Sequence, residues 1–100
     1  MDAERATLVQ DGSCNREPTW DDVQAVLGDG RTFWLDLQAP SDDEIDRLGE
    51  VFGFHRLAVE DTHRFHQRAK LVDYEDHAFV VAFAADLDRE HDRIEVHCYY

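Results

Sequence analysis

The most constraining feature of the sequence is an uncharged run of valine, phenylalanine and alanine at Ala78–Ala85. A helix needs about 20 apolar residues to span a bilayer, so this run is too short to cross a membrane. A short continuous apolar run is typical of a strand covered on both faces. We therefore predict an interior strand here, with Phe79, Val81 and Phe83 in the core.

A second strand is predicted beyond the polar connection over residues 86–93. Residues 93–100 alternate between two faces, one with Ile94, Val96, Cys98 and Tyr100 and the other with Glu95, His97 and Tyr99. The two strands are expected to form a hairpin. Because the sequence stops inside this last strand, we expect the natural protein to continue beyond it.

Two helices are predicted in the first half of the chain from their capping residues. Thr19 can cap a helix over residues 20–27. Ser41 and Glu44 fit a capping box, in which each side chain bonds the other residue's amide, for a helix over residues 42–52. The apolar residues of the second helix recur at helical spacing, which predicts one buried stripe.

The remaining segments are assigned from residue type and alternation. Residues 31–38 carry bulky side chains on both faces, including Trp34, which predicts an interior strand. Residues 6–10 are compatible with a strand, residues 11–18 with a loop, residues 55–63 with a short helix and residues 70–74 with a strand.

Helices interleaved with strands and followed by a hairpin predict an α/β fold built on a mixed sheet. The helix over residues 42–52 is expected to pack across one face of that sheet. The length of 100 residues corresponds to a single domain, residues 1–100.

The charge balance limits the possible partners. Asp and Glu number 23 against 10 Lys and Arg, which gives a formal net charge of −13. Such a chain repels nucleic acid and anionic lipid, so we expect neither nucleic-acid binding nor direct membrane contact. The same field attracts cations, including metal ions and basic surfaces.

Cysteine usage and the first residues indicate a compartment. Cys14 and Cys98 form no C-x-x-C pair, and residues 1–10 lack an apolar segment of signal-peptide length. We expect a protein of the reducing cytosol.

The sequence lacks the usual catalytic patterns. No G-x-S-x-G surrounds a serine, and neither common glycine-rich phosphate loop is present. We therefore expect that the chain is not an enzyme.

Two metal-like spacings have simpler interpretations. Asp86, Asp88, Glu90 and Asp92 alternate like calcium-loop ligands, but His91 and His97 stand where that loop needs Gly and Glu, so a solvated connection is favoured. Glu60, His63 and His66 would share one helix face if the helix extended that far, but ordinary histidines are favoured over a zinc site.

The adjacent carboxylates Glu60 and Asp61 pose a sharper question. If the helix ends nearby, they lie at its negative end, where a cation must compensate them. The partner is either a divalent ion or a basic side chain of this chain, and the basic side chain is favoured. The candidates are Arg64, Arg68 and Lys70.

Two longer segments then suggest a family. The segment over residues 50–84, E-V-F-G-F-H-R-L-A-V-E-D-T-H-R-F-H-Q-R-A-K-L-V-D-Y-E-D-H-A-F-V-V-A-F-A, resembles the signature of the CorA family of magnesium and cobalt channels. The upstream F-W-L-D-L-Q-A-P, residues 33–40, resembles the strand and turn of that family. The chain departs from the signature at two prolines, which are Arg56 and Ala69 here.

The resemblance implies a cytosolic regulatory domain with a three-layer α/β/α fold, within a homopentamer of identical subunits embedded in the membrane. It implies that Asp61, with Glu60 as a second candidate, binds a regulatory Mg²⁺, or Co²⁺, between neighbouring subunits. The partner carboxylate, the membrane spans and the Gly-Met-Asn pore signature belong to later parts of the family sequence. The alternative is a free-standing domain that binds a small ligand or a protein.

Overall fold

The computed structural model describes residues 1–64, 66–88 and 92–100. They divide into two compact units, Met1–Val51 and Phe52–Tyr100. The elements in chain order are β1 (Arg5–Gln10), β2 (Ser13–Asn15), α1 (Trp20–Gly28), β3 (Trp34–Gln38), α2 (Asp42–Phe52), α3 (Arg56–Thr62), β4 (Lys70–Asp73), β5 (Ala78–Ala85) and β6 (Arg93–Tyr99). This composition confirms the expected α/β class.

The first unit contains an antiparallel sheet in the order β2-β1-β3. Asp11 and Gly12, with φ of 49° and 78°, form the two-residue turn between β1 and β2. Two positive φ values are typical of a type I′ turn, whose twist matches that of the strands. The loop predicted over residues 11–18 therefore contains a hairpin.

Strand β3 lies at an edge of this sheet, so its predicted interior position is wrong. The side chains of Leu35 and Leu37 are half-buried, whereas Trp34 on the other face is 63% exposed. Bulk on both faces was therefore a misleading signal. The central strand is β1, which contributes the buried Leu8 opposite Leu35.

Both predicted helix caps are confirmed in the first unit. The Thr19 hydroxyl accepts from the Asp22 amide at 3.2 Å, and the Asp22 carboxylate accepts from the Thr19 amide at 2.9 Å. The bond from the Thr19 amide, followed by that with the Thr19 hydroxyl, lowers the pKa of Asp22. Helix α2 has the predicted Ser41 and Glu44 box, and Glu44 is only 4% exposed.

The second unit contains the antiparallel sheet β4-β5-β6, with α3 packed on its central strand. Phe79 and Val81 of β5 are 0% and 1% exposed and form a core with Ala58 of α3. This confirms the central strand predicted at Ala78–Ala85. Its expected cover on both faces is wrong, because Val80 and Ala82 on the second face are only half-buried. Phe83 is only partly buried, and the Arg93 guanidinium lies 4.3 Å from its ring centroid.

The predicted mixed sheet is wrong for the described strands, because every pairing among them is antiparallel. Parallel neighbours require a crossover between strands of one sheet. Here α2 and α3 instead connect β3 to β4, which pair in different sheets.

Strand β6 presents its polar face to the core of the second unit. Its Glu95, His97 and Tyr99 lie opposite Phe83, Val81 and Phe79 of β5, which face the core. On the opposite face, Ile94 and Val96 are 49% and 36% exposed. The inner face of β6 therefore depends on hydrogen bonds as well as apolar contact.

The core of the second unit gives a direct test. We expect Phe79→Ala to lower the free energy of unfolding by about 3–5 kcal/mol, because it leaves a cavity at a fully buried site. Urea unfolding followed by far-UV circular dichroism measures this change. Leu87→Ala, at a side chain that is 96% exposed, should change stability by less than about 0.5 kcal/mol. Equal effects of the two substitutions would contradict the core assignment.

Candidate cation-binding site on helix α3

Helix α3 begins without the proline of the CorA signature. Two histidines, His55 and His77, form the hydrogen bonds at its N-terminal end. The His55 ring Nδ1 accepts from the Leu57 amide at 3.1 Å and caps the helix. The His55 amide donates to Nε2 of His77 at 3.1 Å. Because Nε2 accepts, Nδ1 of His77 holds the ring proton and donates it to Asp76 at 2.6 Å. This bond with His77 lowers the pKa of Asp76.

Asp61 lies near the C-terminal end of α3 and is paired with a lysine. The Lys70 Nζ lies 2.6 Å from Oδ2 of Asp61. The two side chains are 34% and 26% exposed. Lys70 is the first residue of β4, so the pair joins the end of the helix to the start of a strand.

Glu60 has a different partner and environment. Its Oε1 accepts from the Arg64 guanidinium at 3.0 Å, and both side chains are at least half exposed. Such exposed pairs contribute little stability. The Glu60–Arg64 and Asp61–Lys70 ion pairs are thus separate.

Gln67 ties the turn after α3 back to the helix. Its side-chain amide donates to the carbonyl oxygens of Asp61 and Arg64, the latter at 3.0 Å. Both carbonyls lie where a helix end leaves acceptors unsatisfied. Gln67 thus positions the backbone at Asp61, a role that the sequence did not predict for it.

Glu95 holds the same turn from the sheet. Its carboxylate is 9% exposed and accepts from the amides of His66 at 2.8 Å and Gln67 at 3.4 Å. It also accepts from Nε2 of His97 at 2.9 Å. His66 has a φ of 66°, which is uncommon without glycine, and this bond secures it there.

The environment of Glu95 shifts its titration. Burial raises the pKa of the carboxyl, but the bonds from the His97 ring and from the two backbone amides outweigh it. The pKa of Glu95 therefore lies below its ordinary value. Nothing in the local sequence signals the two backbone bonds, because His66 and Gln67 lie 29 and 28 residues earlier in the chain.

Tyr99 fastens α3 to β6. Its hydroxyl donates to the Ala58 carbonyl at 3.0 Å and also contacts the Thr62 hydroxyl. Burial raises the pKa of Tyr99 to about 12, so the phenol is neutral at physiological pH and remains a donor.

The residues at this site fit a divalent ion only in part. Mg²⁺ is commonly held by one or two carboxylates and keeps several waters, so Asp61 could supply one ligand. Over residues 1–64, 66–88 and 92–100, no group of three His, Cys, Asp or Glu side chains could hold a metal.

Of the two other metal-like spacings, the described residues test only the one on α3. Helix α3 ends at Thr62, so Glu60, His63 and His66 share no continuous helix face. In the calcium-like segment Asp86 accepts from the Asp88 amide at 3.0 Å. Glu90 and His91 lie outside the described residues.

The chain thus has an α/β fold in which Asp61, near the end of helix α3, is paired with the ammonium group of Lys70. Residues 29–99 match the family described as CorA-like Mg²⁺ transporter protein. This match covers most of the chain, which therefore belongs to the CorA-like Mg²⁺ transporter family. The resemblance predicted from the signature is confirmed.

Individual relatives agree with this assignment. The chain is 33% identical over 84 residues to the "Cobalt/magnesium transport protein CorA" of Thermotoga maritima, covering 80% of this chain and 24% of that protein. It is 29% identical over 80 residues to "Magnesium transporter ALR2" and "Magnesium transporter ALR1" of Saccharomyces cerevisiae, covering 69% of this chain and 9% of each. The chain therefore spans less than a quarter of the length of these relatives, which are named as transporters rather than enzymes.

Among the described parts of the chain, none of the helices has the length and apolar character needed to cross a bilayer. The longest, α2, has 11 residues.

The Glu95 network predicts an acid-dependent contribution to stability. Because the folded-state pKa of Glu95 lies below the ordinary value of 4.5, its ionised form stabilises the fold above that pH. This contribution is lost as pH falls through the folded-state pKa. Glu95→Gln should lower stability at pH 7 and flatten its dependence on pH below about 4.5.

Urea unfolding at several pH values measures this dependence. Glu75→Gln removes the same charge from an exposed side chain and is the matched control. A wild-type slope that persists in Glu95→Gln would show that the network does not depend on the ionised carboxyl.

Proposed function

We propose that this chain is the regulatory domain of a Mg²⁺ transport protein and that it senses divalent cations through Asp61. Family membership over residues 29–99, which include Asp61, supports the first part. The observation that carries the second part is the 2.6 Å contact of Asp61 with a cationic group. The negative end of a helix favours a cation, and Asp61 lies at that end of α3 with a side chain that remains 26% exposed.

The domain would act on the cytoplasmic side of the membrane, within a homopentamer of identical subunits. In that assembly the three-layer α/β/α arrangement would be completed by later parts of the protein. Asp61 would meet a carboxylate of a neighbouring subunit, with Mg²⁺, or Co²⁺, between them. Glu60 would contribute less, because its side chain is 50% exposed and is bonded to Arg64.

The charge of the chain supplies the physical basis for gating. With a net charge of −13, neighbouring copies repel unless cations neutralise the surfaces that meet. Bound Mg²⁺ would therefore favour closely packed subunits and a closed pore. A fall in Mg²⁺ would release them, by an amount limited by the difference in Mg²⁺ affinity between the two arrangements.

The test is Mg²⁺-dependent protection of the full-length protein against limited proteolysis. Asp61→Asn keeps the shape of the side chain but removes the charge. Loss of one charge-assisted ligand should raise the Mg²⁺ concentration needed for half protection about tenfold or more.

Asp73→Asn is the matched control, because it makes the same change at an exposed position of the same unit. It should behave as the wild type does. Equal protection of wild type, Asp61→Asn and Asp73→Asn would reject Asp61 as the sensing residue and leave it as a structural partner of Lys70.

A further inference from the structure

The partner of Asp61 is itself held in position. Lys70 begins β4, and its backbone pairs with Val81 of the central strand. Its Nζ lies 5.9 Å from the ring centroid of Phe79, a fully buried side chain. The ammonium group is therefore placed by the sheet and by an aromatic face as well as by Asp61.

The carboxylate is equally well placed. The Asp61 backbone is fixed by the side chain of Gln67, and α3 is anchored through Ala58 in the core. Both members of the pair are about two-thirds or more buried. Little conformational freedom is lost when they meet, unlike in most pairs at a protein surface.

We propose that the Lys70 ammonium is a built-in competitor for the divalent cation at Asp61. This inference rests on the proposed function and concerns the regulation of that site. The Asp61 oxygen that bonds Lys70 is exchanged between the ammonium group and the ion. The domain therefore responds only when the ion concentration is high enough to displace the lysine.

The competition follows from charge and geometry. A divalent ion that binds Oδ2 of Asp61 breaks the 2.6 Å contact, and an ion that binds the other carboxylate oxygen lies beside the positive charge of Lys70. Both effects weaken ion binding. After displacement Lys70 remains tethered by β4 and Phe79, so it returns when the ion leaves.

The experiment measures binding of Mn²⁺, a paramagnetic divalent probe, to the ¹⁵N-labelled chain. Mn²⁺ bound at Asp61 broadens the amide signals of Asp61 and Thr62, and this broadening reports weak binding without any transport activity. Lys70→Met keeps the aliphatic stem and removes the charge. It should lower the Mn²⁺ concentration for half-maximal broadening about tenfold, since one charge-assisted bond no longer competes.

Three further variants make the result specific. Lys70→Gln removes the charge but retains a hydrogen-bond donor, and it should also tighten Mn²⁺ binding. It serves as the test variant if Lys70→Met fails to fold. Arg64→Met removes one positive charge beyond the same helix end while sparing the Asp61 pair, and it should change binding by less than about twofold. The double variant Asp61→Asn with Lys70→Met should lose the broadening.

The outcomes separate this inference from the function on which it rests. Saturable, Asp61-dependent broadening at the same Mn²⁺ concentration in wild type and both Lys70 variants would overturn the competition and leave Asp61 as a ligand. Equal tightening by Arg64→Met and Lys70→Met would also overturn it. If no variant shows broadening that depends on Asp61, the competition is overturned. The ligand role of Asp61 in the full-length protein is decided separately by the proteolysis test.

Discussion

The contact of Ala58 with Phe79 and Val81 is the constraint on which the candidate site depends. Helix α3 has only seven residues, and a helix this short is marginal without tertiary packing. Burial of Ala58 holds the helix on β5, and Tyr99 adds a hydrogen bond to the Ala58 carbonyl. Asp61 follows three residues later, so this packing places its carboxylate beside the start of β4.

Two acidic neighbours acquire different roles from this placement. Glu60 is half exposed and pairs with Arg64, four residues later, whereas Asp61 is partly buried against Lys70. The sequence interpretation that a basic side chain compensates the helix end is confirmed for the described residues. The regulatory ion proposed for Asp61 would have to compete with this intramolecular partner.

Local signals in the sequence predicted the elements that depend on neighbouring residues. The caps at Thr19 and at Ser41 with Glu44 were predicted correctly, and so was the central position of the strand at Ala78–Ala85. The β1–β2 hairpin could also have been predicted, since Asp11 and Gly12 are a known two-residue turn pair.

Features that depend on distant partners could not be predicted in this way. Trp34 gives no local sign that its strand lies at an edge of the sheet. The antiparallel direction of every described pairing likewise depends on residues distant in the sequence. The half-buried Glu95 accepts hydrogen bonds from backbone amides 28 and 29 residues away. The choice of Lys70 over Arg64 and Arg68 as the partner of Asp61 likewise depends on where β4 begins.

A double-mutant cycle on the free energy of unfolding tests the Asp61–Lys70 pair most directly. It compares wild type, Asp61→Asn, Lys70→Met and the double variant by urea unfolding at low salt. We expect a favourable coupling energy of about 1 kcal/mol, because the pair is partly buried and positioned on both sides. The coupling should shrink in 1 M salt, where the Debye length is about 3 Å. A coupling energy indistinguishable from zero at low salt would contradict the account.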